Sequence, residues 1–222
     1  MLRPRKKLAK KEIKEDALVT TIFKVQRLYS TYRKQIEIGL IAVLAVVVLG
    51  GLMLRSKKSA ERQASARLGL TEPAYFSGEY QRVIPELTSI QEKYPGTPSA
   101  GEAVFYLGNA QFAVGNLDQA EACFRRYAED YGQNRAFKAS SLAGMAAVQE
   151  ARKQYEKAAV LYEKAGRNYQ DLFSAPSYLM NAGRCYAAAN DIAKGKQLYQ
   201  ILLDKYPDSN AAQEARALIE SL

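Results

Sequence analysis

Cys123 and Cys185 are the only thiols in this chain, and no histidine stands anywhere in its 222 residues to activate either one. A catalytic thiol needs a neighbouring base or cation to become thiolate near neutral pH. Without histidine, the commonest general base and the commonest zinc ligand are both missing. The two cysteines lie 62 positions apart, outside any CxxC or lipid-attachment pattern. They read as packed thiols, with a disulfide between them left open. Carboxylates could serve a hydrolase, for example one acting on peptidoglycan, but they are scattered, with no metal-ligand spacing and no nucleophile elbow beside them. The expectation is a non-enzyme with no catalytic residue, no metal and no cofactor.

The residue types that do recur are structural. EKYPGT at 92–97 returns as DKYPDS at 204–209, and the tyrosines at 94, 131, 169 and 206 step by 37, 38 and 37 residues. A constant step of this size marks a repeat array. Six further columns keep the same step. They are small residues at Thr71, Gly108, Ala146 and Gly183; turn residues at Gly78, Gly115, Lys153 and Asn190; and apolar residues at Tyr80, Leu117, Tyr155 and Ile192. Then come Val83, Ala120, Ala158 and Gly195; Leu87, Phe124, Tyr162 and Tyr199; and Ile90, Tyr127, Ala165 and Leu202. Each unit is therefore a helical hairpin, too small to bury its own apolar face, which must stack on the next. Thr97-Pro98 and Asp208-Ser209 suit helix starts, where a capping side chain is followed by a first turn that tolerates proline. The expected fold is all-α: a helical-hairpin solenoid preceded by a single transmembrane helix.

The net charge of +9 is not spread evenly. Residues 1–67 hold 16 Lys/Arg against 5 Asp/Glu, whereas residues 68–222 hold 16 against 18. A nucleic-acid-binding fold would carry its positive charge on the folded body, so nucleic acid is not an expected partner. The charge instead flanks Ile38–Leu54, IGLIAVLAVVVLGGLML, 17 residues without a charged side chain. At a rise of about 1.5 Å per residue this is roughly 25 Å of helix, at the short end of what spans a bilayer. A buried core helix would not be so uniformly apolar with basic residues fencing both ends. A cleaved leader would have a shorter apolar run and a nearer cleavage site. Four Lys/Arg lie within 15 residues on the N-terminal side and five on the C-terminal side, a local tie. The 11 basic residues preceding the span place the N-terminus in the cytoplasm.

Before the span, Leu18, Ile22, Val25, Tyr29, Tyr32 and Ile36 step by 4, 3, 4, 3 and 4, an apolar stripe on one helical face. It reads as a membrane-proximal docking face, against the anionic leaflet, a membrane partner or a second copy of the chain. The domain plan is a basic cytoplasmic tail with an amphipathic helix (1–35), a transmembrane helix (36–54), a helical linker (55–67) and a solenoid (64–222). The solenoid has units at about 64–97, 101–134, 139–172 and 176–209, with a closing helix at 210–222.

The run GEAVFYLGNAQFAVGNLDQAEACFRRYAEDYGQN at 101–134 resembles a tetratricopeptide repeat. Leu107-Gly108, Ala120 with Phe124, and Tyr127-Ala128 stand where that family wants them, and Asn181-Ala182-Gly183 with Tyr186 and Pro207 is similar. The early tryptophan is missing, and the step exceeds the usual ~34 residues, as in a variant found in bacterial envelope proteins. A basic tail, one span and then repeats resembles the ancillary Sec-translocon-subunit type of envelope protein and, more loosely, the periplasmic cell-division coordinator type. The resemblance implies a peptide- or partner-binding groove lined by first-helix residues: Tyr75 and Phe76; Glu102, Phe105, Asn109 and Phe112; Ala143, Ala147 and Glu150; Met180 and Arg184. It implies a membrane-anchored interaction scaffold in the bacterial inner membrane, with its C-terminal domain in the periplasm, bringing clients or chaperones to a complex such as the translocon. The alternative is a constitutive structural subunit of a larger membrane or envelope assembly.

Overall fold

The computed structural model describes residues 10–132 and 134–221, with side chains from Val19 to Glu220. The chain divides into two compact units, Met1–Ser56 and Lys57–Leu222. No strand occurs among the described residues.

The described part of the first unit lies wholly in α1 (Lys10–Phe76), whose bounds run on into the second unit. Its large apolar side chains from Val19 to Leu54 are exposed, Leu54 at 71% and Val46 at 70%. This helix contains a stretch long and apolar enough to cross a membrane, and none of it is buried within the protein. Arg33 Nε donates to Glu37 Oε1 at 2.8 Å, an i,i+4 ion pair just ahead of the uncharged run.

The second unit is a stack of hairpins. The end of α1 pairs with α2 (Tyr80–Lys93), and α3 (Pro98–Ala113) pairs with α4 (Leu117–Arg126). Likewise α5 (Arg135–Ala151) pairs with α6 (Tyr155–Asn168), α7 (Ala175–Ala188) with α8 (Ile192–Lys205), and α9 (Asn210–Ser221) closes against α8 and α7. Residues 55–67 are helical within α1, and Pro73 sits inside that helix instead of ending it. One local feature departs from the simple pattern. After α4 the chain widens into a π-helix at Tyr127–Tyr131, for which nothing in the surrounding residues prepares.

The turn column explains why each hairpin closes. Gly78, Gly115, Lys153 and Asn190 all take positive φ, at 80°, 85°, 59° and 67°. Glycine adopts this left-handed conformation freely, while a lysine there carries a steric cost. Two substitutions should therefore move stability in opposite directions. Gly115→Ala is expected to lose about 1–2 kcal/mol. Lys153→Gly is expected to gain up to about 1 kcal/mol, since relief of the left-handed strain outweighs the added freedom of the unfolded chain. Urea titration of both variants checks the pair.

The duplicated hexapeptides form one and the same corner. The Thr97 hydroxyl donates to the Tyr94 carbonyl at 2.8 Å and accepts from the Ala100 amide at 3.2 Å. The Ser209 hydroxyl donates to the Tyr206 carbonyl at 2.8 Å and accepts from the Ala212 amide at 3.1 Å. Each hydroxyl thus ties the end of one helix to the start of the next, giving an orphan amide a partner. Neighbouring corners are then joined by the tyrosines. Tyr131 Oη accepts from the Gly96 amide at 3.3 Å, and Tyr206 Oη donates to the Gln170 carbonyl at 2.8 Å. Both hydroxyls hold one corner against the next.

Small and aromatic columns interlock between helices. A methyl at Gly108 would stand 2.8 Å from Phe124 Cε1, and one at Gly183 would collide with the Tyr199 ring. Only a bare backbone lets α3 and α7 approach the rings of α4 and α8 so closely. The core is shared by successive hairpins. Ala64 and Leu68 of α1 pack with Val83, Leu87 and Ile90 of α2 and with Ala103 and Leu107 of α3. No hairpin owns its core, which is why the units must stack.

Candidate functional site

Tyr75 and Phe76 end α1, Phe105 and Tyr106 lie in α3, and Phe137 lies in α5, so each of three successive first helices contributes rings. They touch in series. The centroids of Phe76 and Tyr75 are 5.2 Å apart, those of Tyr75 and Tyr106 4.6 Å, those of Tyr106 and Phe105 6.0 Å, and those of Phe105 and Phe137 4.8 Å. Phe137 in turn meets Tyr127 at 5.9 Å. Rings in such tilted and edge-on contacts stabilise one another beyond the area they bury. One end of the series is open: Phe76 is 71% exposed.

Negative charge surrounds the half-buried rings. Burial raises the Glu102 carboxyl above its ordinary value, and the carboxylates of Glu72 and Glu61 raise it further. The Tyr106 hydroxyl is raised by burial and then by Glu72 and Glu102. Rings beside carboxylates form a surface suited to an apolar or cationic side chain from a partner.

The expected groove residues divide into two sets. Phe76 is open, and Tyr75, Glu102, Asn109, Phe112 and Glu150 are half-buried, with Arg184 exposed. Phe105 and Met180 do not line an open surface. Phe105 is 9% exposed among the rings of Tyr106, Phe124, Tyr127 and Phe137. Met180 is 3% exposed in the core of the last units. The groove expectation at these two positions is corrected, because their side chains hold neighbouring helices together. Ala143 is buried as well, while Ala147 is half-buried.

Polar members of the set bridge successive units. Asn109 Nδ2 donates to Tyr75 Oη at 3.1 Å. Arg184 Nη2 donates to Glu150 Oε1 at 2.9 Å, and Tyr162 Oη donates to Glu150 Oε2 at 3.2 Å. Both first-helix pairs are separated by 34 residues, which aligns adjacent first helices along one face. Tyr106 and Phe137 join the ring series and were missed. Tyr106 carried a readable signal, since it lies four residues after Glu102 and three before Asn109, on the same helical face.

In the stripe ahead of the apolar run, Ile22 and Val25 are each 62% exposed, Tyr29 48% and Tyr32 47%. The side chain of Leu18 lies outside the described residues.

The thiols are free and sit in different surroundings, Cys185 in the core of the last units and Cys123 between those of the first. Burial pushes the Cys123 thiol up to about 11 and Cys185 up to about 12, the latter helped by Glu150. Both remain thiols at pH 8. Neither is expected to react with a maleimide in the folded protein, and both should react in denaturant; mass spectrometry of the adducts decides. Among the described residues, no group of three His, Cys, Asp or Glu is placed to hold a metal ion.

The family profile for the tetratricopeptide repeat-like domain matches residues 26–221. The chain belongs to that family. No curated protein matches it. Tetratricopeptide repeat folds among solved structures are similar in shape. A tetratricopeptide repeat protein from Parabacteroides merdae ATCC 43184 is 17% identical with a TM-score of 0.59, the match covering 72% of this chain and 59% of that one. A MamA RS-1 ArsTM double mutant is 16% identical with a TM-score of 0.54, covering 66% of this chain and 76% of that one. At these identities the likeness concerns the fold. Tetratricopeptide repeats are typically non-catalytic protein-interaction scaffolds, and repeats of that kind suggest such a role here.

Proposed function

We propose that this chain is a single-pass scaffold of the bacterial inner membrane, its N-terminus in the cytoplasm and its repeats in the periplasm. There it brings client proteins or chaperones to a membrane complex such as the Sec translocon. The observation that carries the reading is the pairing, on one chain, of an exposed apolar span with a repeat stack whose ring series opens at Phe76. An apolar helix left bare to water would be a severe liability for a soluble protein, whereas lipid satisfies it. The family profile begins at residue 26, so the apolar stretch falls inside the family's own match. Rings flanked by Glu72 and Glu102 favour an extended client segment bearing apolar and basic side chains.

The test is site-specific photo-crosslinking in membranes. A photoreactive phenylalanine at Phe76 or Phe112 should trap many partners at low yield, and one at exposed Val160 should trap few. A single adduct at fixed stoichiometry, retained through mild detergent extraction, would instead make the chain a constitutive subunit. Absence of any adduct at Phe76 would remove the groove from the reading.

A further inference from the structure

We propose that residues 18–36 form a parallel two-stranded coiled coil with the same residues of a second copy of this chain, immediately before the span. The proposal rests on the anchoring reading above and not on the groove.

The alternating steps of 4 and 3 are those of a heptad seam, with Ile22, Tyr29 and Ile36 at position a and Leu18, Val25 and Tyr32 at position d. A stripe of this kind could equally coat a lipid surface, but only if the helix turned between stripe and span. Sharp helix bends have identifiable causes: proline, glycine, a π-bulge or an inserted side chain. Residues 19–38 contain neither proline nor glycine, and α1 is continuous α-helix throughout them. The Ser30 and Thr31 hydroxyls fold back onto the Arg27 carbonyl at 2.9 and 2.8 Å, and the Arg33–Glu37 ion pair reaches across the junction with the apolar run. Stripe and span therefore share one axis. A helix that crosses the bilayer carries a collinear extension away from the lipid, which leaves Ile22, Val25, Tyr29 and Tyr32 facing water.

Charge placement favours a second copy as the cover. In the same register Lys24 falls at c and Arg27 and Lys34 at f, all directed away from the seam. The flanking positions that meet across a parallel pair are Thr21 with Gln26 and Leu28 with Arg33, so no like charges oppose one another. Residues 18–36 alone supply fewer than the roughly three to four heptads that a free coiled coil wants. The membrane compensates, because two anchored copies enter it in the same sense and meet at high effective concentration. Parallel pairing follows from that shared orientation.

The test uses the full-length chain in native membranes, with single cysteines introduced by Ile22→Cys, Tyr29→Cys or Tyr32→Cys on the seam and by Arg27→Cys or Lys34→Cys off it. The unsubstituted chain, with Cys185 buried and Cys123 half-buried, reports the background. Oxidation with copper phenanthroline should give a species of twice the mass from the seam variants and none from the outer ones. Equal yields from both sets, no dimer in either, or a seam adduct whose mass is that of another protein would each overturn the proposal. Alkaline carbonate extraction of the same membranes separates the two readings. Chain in the pellet without seam dimers defeats the coiled coil alone, and chain in the supernatant defeats the anchor.

Discussion

Replacing Phe124 with alanine is expected to cost the repeat unit about 3–5 kcal/mol, the range for truncating a buried phenylalanine whose surroundings cannot collapse. Its ring is 1% exposed. One edge lies so close to Gly108 of α3 that an added methyl would stand 2.8 Å away, and the other lies 2.7 Å from the corresponding point at Gly144 of α5. Two glycine-bearing backbones thus clasp one ring from successive units, and neither has a side chain that could swing in to fill the hole. At about 2–4 °C per kcal/mol for a domain of this size, the melting temperature should fall by about 6–20 °C. Circular dichroism during heating of the repeat-bearing chain in detergent measures this directly. Phe76→Ala is the contrast. That ring is 71% exposed, so its loss should leave the melting temperature almost unchanged while lowering photo-crosslinking from the neighbouring surface. A Phe124→Ala loss near 1 kcal/mol, about the size of an ordinary substitution, would show that the glycine clasp does not hold the stack.

The Phe124 clasp also shows how far the repeat could be read from residue types alone. Small and aromatic columns were visible as a shared spacing, and their interlock follows from geometry: where two helices must touch, the ring on one requires a missing side chain on the other. The turn column was equally legible, since Lys153 and Asn190 take the same left-handed φ as the glycines they align with. What escaped was whatever has no copy elsewhere in the chain. The meeting of Tyr75, Tyr106 and Phe137 joins three different units at positions that do not repeat, and no column announces it. Phe105 was misjudged for a related reason. A family resemblance says which helix face turns toward a groove, but depth on that face depends on neighbouring side chains. Here Phe137 and Tyr127 close over it, at centroid distances of 4.8 and 6.0 Å. The π-helix at Tyr127–Tyr131 has no composition signal of its own, because it reflects how the corner packs.

On the proposed anchoring, two arginines in place of Val46 and Val47 are expected to release the chain from the membrane. The uncharged run Ile38–Leu54 contains 11 Leu, Ile and Val residues. At about −0.3 to −0.6 kcal/mol each near the centre of a span, they favour insertion by roughly 3–7 kcal/mol. The double substitution removes two of them and adds two arginines at about +2.5 to +3.5 kcal/mol apiece, roughly 5–7 kcal/mol against insertion. The nine aliphatic residues left favour insertion by roughly 3–5 kcal/mol, so the balance moves to about 0–4 kcal/mol against it. Both positions lie near the middle of the run, seven residues from its end at the closest, so snorkelling toward a headgroup gives only partial relief. Val46→Leu with Val47→Leu keeps the run apolar and should leave the chain in the membrane pellet after carbonate washing, whereas the arginine pair should move it to the supernatant or abolish its accumulation. Full retention of the arginine variant would mean that the span is held by something other than lipid. The seam of Ile22, Val25, Tyr29 and Tyr32 is the element able to do that, and combining the arginine pair with Tyr29→Glu and Tyr32→Glu would then separate a tether made by a partner from one made by the bilayer.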